Sequence, residues 1–174
     1  MTRRQSEGAK RRSASLRLRV PVSSPSRRGA DLIEQAALRY LANRDRTEAQ
    51  VRGFLSRAGA SAPRAKDVIA RFFRLGYLND AVYAQRWAGV RLARRPMGRD
   101  RLEAELLAQG LDRATVAKTL DKVYSKQNER DLARSLLSRR IGSGTRRTDA
   151  ARAGLLRRYG FREEVIEELL NGSQ

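Results

Sequence analysis

Residues 47–59 read TEAQVRGFLSRAG. Thr47 can cap a helix start, and with Gln50 three residues on it forms a capping box. Val51, Phe54, Leu55 and Ala58 follow at helical spacing, and Gly59 supplies the stop. The pattern returns at 98–110 (GRDRLEAELLAQG) and at 148–160 (TDAARAGLLRRYG), so that Gly59, Gly110 and Gly160 stand 51 and 50 residues apart. Twelve residues before each glycine is a helix-start residue (Thr47, Gly98, Thr148), and four before it a leucine (Leu55, Leu106, Leu156). Six residues after each is an apolar side chain (Ala65, Val116, Ile166), and ten after each another (Ile69, Leu120, Leu170). Matched offsets in three places predict a tandem repeat.

Each unit carries a further helix ahead of the quoted stretch and another behind it. In the first unit Ile33, Ala36, Ala37, Tyr40 and Leu41 make one face of the leading helix, while Ala65, Ile69, Phe72 and Phe73 make the face of the trailing one, which ends at Gly76. The reading is an all-α fold of three tandem three-helix, helix-turn-helix-like repeats at 31–78, 79–125 and 128–171, packed as an elongated array. Units of this length are marginal alone, so neighbours share apolar surface.

The 174 residues include 38 Lys+Arg and 19 Asp+Glu, no His and no Cys. Lacking Cys, the chain has no disulfide framework, thiolate nucleophile or Cys-based metal site; lacking His, it has neither the usual general base nor the commonest metal ligand. No catalytic constellation and no cofactor motif emerges. The longest uncharged stretch, Val20 to Ser26, is seven residues, far short of a bilayer span. The chain reads as a soluble protein with no membrane partner.

The formal charge is +19, and 33 of the basic residues are arginine, the side chain suited to bidentate phosphate and carboxylate contacts. Residues 1–29, rich in Ser, Pro and Arg, carry +8 and read as a disordered basic arm; the body carries +11 by itself. Between the first and second helices of every unit lies a basic corner: Arg44 and Arg46; Arg91, Arg94, Arg95, Arg99 and Arg101; Arg139, Arg140, Arg146 and Arg147. Recurring at one structural place, these arginines form a stripe suited to a long polyanionic track. The competing reading is an ordinary solvated surface of an Arg-rich chain. A uniform DNA-reading helix is excluded, because the third unit's last helix carries Glu163, Glu164, Glu167 and Glu168. Gly142-Ser143-Gly144-Thr145 lacks the Lys-Ser/Thr and preceding strand of a phosphate cradle. The single Trp87 reads as core or unit-interface packing, with a stacking platform for nucleic acid as the alternative.

Particular residues carry a resemblance. Leu75-Gly76-Tyr77-Leu78-Asn79-Asp80, followed by Tyr83-Ala84-Gln85-Arg86-Trp87, resembles the most recognisable stretch of the RecX family. Gly98 to Asp112 (GRDRLEAELLAQGLD) resembles its second-unit pattern, and Arg157-Arg158-Tyr159-Gly160-Phe161 with Val165-Ile166 its third. Ala60-Ser61-Ala62-Pro63 departs from the apolar-then-acidic run usual there. The resemblance covers 31–171. It implies a cytoplasmic, monomeric, non-enzymatic bacterial regulator of the recombinase RecA in homologous recombination, DNA repair and the SOS response. Such a protein lies in the groove of RecA filaments on single-stranded DNA and inhibits filament growth, ATP hydrolysis, strand exchange and co-protease activity. The family brings no catalytic residues or metal to carry over, so the eleven corner arginines stand as the RecA- and DNA-binding candidates on charge alone. The alternative is a standalone all-helical nucleic-acid-binding protein with no RecA target.

Overall fold

The structure, a computed structural model, describes residues 27–141 and 148–171. The arm through residue 26, the 142–147 loop with Arg146 and Arg147, and residues 172–174 lie outside the described residues. Nine α-helices form among those described: α1 (Arg27–Ala42), α2 (Glu48–Arg57), α3 (Ala62–Arg74), α4 (Asp80–Arg94), α5 (Arg99–Ala108), α6 (Arg113–Tyr124), α7 (Glu129–Ile141), α8 (Asp149–Arg158) and α9 (Glu163–Asn171). The first helix takes in Arg27 to Gly29, which the composition assigned to the arm.

Helix starts are set by short polar side chains. Thr47, Asn79, Asp112 and Thr148 each accept a backbone N–H three residues on. Apolar stripes then close three separate cores. α2 packs on α3, α4 and α5 on α6, and α7 and α8 on α9. The three repeat leucines Leu55, Leu106 and Leu156 are each fully buried, one per core, as are Val116 and Ile166 to within 1%. Truncating any one of these leucines to alanine costs about 2–5 kcal/mol.

Neighbouring units meet at a joint that is built twice in the same way. The start of the second helix of one unit docks on the glycine turn of the next, and a carboxylate from the next unit's first helix caps it. At the first joint the Thr47 hydroxyl donates to the Gln109 carbonyl (2.9 Å), and the Glu48 N–H donates to Asp80 Oδ1 (2.9 Å). At the second the Gly98 N–H donates to the Tyr159 carbonyl (2.9 Å), the Asp100 N–H to the Gly160 carbonyl (3.1 Å), and the Arg99 N–H to Glu129 Oε1 (2.8 Å). Burial pushes both capping carboxyls, Asp80 and Glu129, above their ordinary values, opposed by the N–H each accepts. The predicted capping box is therefore half local. Thr47 accepts from the Gln50 N–H, but the Gln50 side chain reaches across the joint to Gln109 Oε1 (3.2 Å).

The joint also explains why a glycine stands at position 98 where the other units have threonine. Its φ of −82° is ordinary, so conformation does not demand glycine. Space does: a Cβ there would lie 2.1 Å from the Gly160 carbonyl oxygen. Gly160 in turn has a φ of 74°, and a Cβ on it would meet the Arg101 backbone nitrogen at 2.4 Å. At the first joint a Cβ on Gly110 would lie 2.5 Å from the Ala49 Cβ, whereas at Gly59 no described residue lies within 4 Å.

Candidate binding grooves at the joints

Each joint brings the basic corner of one unit against the first helix of the next, and the corner arginines separate into engaged and unengaged sets. Arg91 donates through Nε to Glu105 Oε2 (2.8 Å) while its guanidinium lies 5.2 Å over the Trp87 ring. Arg95 donates to the Tyr159 hydroxyl (2.5 Å) and stacks on that ring at 4.6 Å. Arg99 pairs with Asp121, and Arg101 pairs with Glu105 (3.2 Å) and reaches the Arg158 carbonyl (3.3 Å). Arg46 lies 4.1 Å over the Tyr40 ring. Arg44, Arg94 and Arg139 are exposed and, among the described residues, make no ion pair or hydrogen bond. Four of the five arginines of the central corner are thus engaged, Arg91 and Arg99 within the second unit and Arg95 and Arg101 across the second joint, and Arg94 is not.

The first joint carries a groove. The α1–α2 loop (Arg44 to Arg46) forms one wall, and the outer face of α4 (Tyr83, Arg86, Trp87, Val90, Arg94) forms the other. Adjoining cavities of about 300 and 410 Å³ share Asp45, Tyr83 and Trp87. Arg86 pairs with Asp45 across the groove, both side chains more than half exposed. Trp87 packs its inner part against the second core, as the packing reading expects, and its remaining surface lines both cavities. At the second joint Arg95 and Arg140 converge on Tyr159, a buried ring of the third core. The Arg95 hydrogen bond holds the Tyr159 hydroxyl below the usual phenol range, with help from Arg140.

Charge alone picks out the arginines but not Asp45, Arg86 or the engagement of the central corner. A signal for the groove was present: Tyr83, Trp87, Val90 and Arg94 follow the four- and three-residue steps of one helix face. Among the described residues no group of three or more carboxylates could hold a metal ion, and no helix is long and apolar enough to cross a membrane.

These features define an all-helical tandem-repeat protein whose units meet at arginine- and aromatic-rich joints, the first of them grooved. Residues 35–72 match the first three-helix domain of RecX and residues 79–120 the second. The chain is 31% identical over 141 residues to the regulatory protein RecX of Streptomyces lividans, covering 76% of this chain and 74% of the relative. It is 31% identical over 157 residues to that of Mycobacterium avium, covering 86% and 87%. The chain belongs to the RecX family. The crystal structure of RecX from Lactobacillus salivarius superposes with a TM-score of 0.73 at 19% identity, covering 84% of this chain and 97% of that one, a likeness of fold.

Proposed function

We propose that this chain is a negative regulator of the RecA recombinase. It lies as a monomer in the groove of RecA filaments on single-stranded DNA, in the bacterial cytoplasm. By occupying the groove it restrains filament growth, and with it ATP hydrolysis, strand exchange and co-protease activity. It acts by binding, not by catalysis. The supporting observation is a basic, aromatic-lined groove at the first joint, together with arginines recurring at the second, in a member of the RecX family. Arginines recurring at each unit's corner suit a repeating polyanionic partner better than a single small ligand. Among the described residues, Arg44, Arg94 and Arg139 are the corner arginines with no internal partner to give up, so they make the first contacts. Of the engaged arginines, Arg95 and Arg101 act mainly by holding the second joint, and Arg91 and Arg99 by bracing the second unit. Arg46, Arg140, Arg146 and Arg147 complete the stripe.

The test is titration of the full chain into RecA with single-stranded DNA and ATP. DNA-dependent ATP hydrolysis falls progressively, and the chain alone consumes no nucleotide. Unchanged hydrolysis across a complete titration overturns the reading.

A further inference from the structure

We infer that the groove at the first joint is a binding site for single-stranded nucleic acid, with a base stacked against Trp87 and the flanking phosphates held by Arg44 and Arg94. This ligand rests on the reading above in taking the groove as a binding surface, yet such binding is a property of the free chain and is tested without RecA.

Three observations carry it. Trp87 is half-buried; the inner part of its ring is held by the second core and the rest lines two adjoining cavities, each of a size that accepts a flat ring. A rigidly backed aromatic is what a stacking platform requires, and stacking tolerates any base because every base has a π-face. Second, the cations around the ring are arginines in different states. Arg91 lies over the ring and is tied to Glu105, which extends the flat surface with a fixed guanidinium plane. Arg44 lines the cavity on the loop side and Arg94 on the helix side, both exposed and, among the described residues, both without an internal partner. Two unengaged charges on either side of a platform suit the phosphates that flank one base. Third, Asp45 in the loop wall, the one carboxylate among the described residues that line these two cavities, is already neutralised by Arg86. That pair is exposed and weak, so Arg86 can readily exchange Asp45 for a phosphate.

Exposed Val90, at 48%, extends the Trp87 face along α4. It offers an apolar surface for a sugar or a neighbouring base edge. Duplex DNA presents no unstacked base to such a platform. An acidic peptide would satisfy the arginines but leave the ring face without a matching group.

Trp87 is the only tryptophan in the chain, so its emission reports on this groove alone. The experiment titrates the full chain with an unlabelled oligo-dT and follows Trp87 fluorescence, with anisotropy of a labelled oligo-dT measured in parallel. The expected result is saturable quenching with the same midpoint as the anisotropy. The exposed double variant Arg44→Ala/Arg94→Ala keeps its helical circular dichroism. It binds about tenfold more weakly and flattens the salt dependence of binding by about 1.4 in log–log slope, at about 0.7 for each phosphate no longer neutralised. Trp87→Leu weakens binding about tenfold as well, and Trp87→Phe less. Binding without quenching would place the strand elsewhere on the chain and overturn the inference. So would absence of oligo-dT binding, equal quenching by poly-glutamate, or an unaltered salt slope in the double variant. Loss of RecA inhibition with intact quenching would instead sink the regulatory reading and leave this one standing.

Discussion

Replacing a turn glycine by alanine separates the joint from the turn itself. Gly59 and Gly160 have similar positive φ values, 86° and 74°, and each ends the second helix of its unit. Alanine at either costs about 1–2 kcal/mol for the left-handed conformation. At Gly59 there is no further term, because the added methyl enters open space. At Gly160 the methyl would stand 2.4 Å from the nitrogen and Cβ of Arg101. Reaching ordinary contact requires the second joint to open by about 1 Å. Opening it strains three hydrogen bonds: Gly98 to the Tyr159 carbonyl, Asp100 to the Gly160 carbonyl, and Arg101 to the Arg158 carbonyl. At about 0.5–1.5 kcal/mol each, their loss adds about 2–4 kcal/mol to the Gly160→Ala cost. Equilibrium urea unfolding followed by circular dichroism gives the comparison. Gly160→Ala unfolds at a clearly lower midpoint than Gly59→Ala. Equal midpoints would refute the joint as a stabilising contact and reduce both glycines to turn formers.

Two further predictions concern the carboxylates. Asp80→Ala leaves the Glu48 N–H without its acceptor and costs about 1 kcal/mol, whereas Asp80→Asn keeps an acceptor oxygen, removes a buried charge and is tolerated; urea midpoints of the two variants check this. On acidification, Asp112, whose carboxyl is held below its ordinary value by Thr115, contributes stability present above the usual aspartate range and lost as pH falls through its lowered pKa. Asp80 and Glu129, raised by burial, run the other way: their protonated forms favour the fold, and that contribution disappears as pH rises through their raised values. Asp112→Asn therefore flattens the acid limb of a stability–pH curve, and an unchanged limb would contradict the assignment.

Much of the fold was legible because the information is local. The glycine stops, the cap residues and the leucine four positions before each glycine act within one turn of helix, and the structure places Leu55, Leu106 and Leu156 in the three cores. The joints were not legible, since their partners are far apart in sequence. Thr47 and Gln109, Glu48 and Asp80, or Arg99 and Glu129 meet only after both units have folded. Gly98 shows the limit most clearly. From the sequence it is a helix start of the wrong type, and only the Gly160 carbonyl beside it explains the missing side chain. The basic corners were visible as composition, but composition does not distinguish Arg94, which is unengaged, from Arg95, which is bound to Tyr159.

The joints have a sense of direction. At both, the earlier unit gives a helix start and the later unit gives a turn and a carboxylate. The chain is consequently polar, with a head and a tail that differ. A strand of nucleic acid also has two unlike ends, and so does any filament built on one. Two polar bodies laid side by side have two distinguishable orientations of unequal energy, so any polar partner would meet the units in one preferred order.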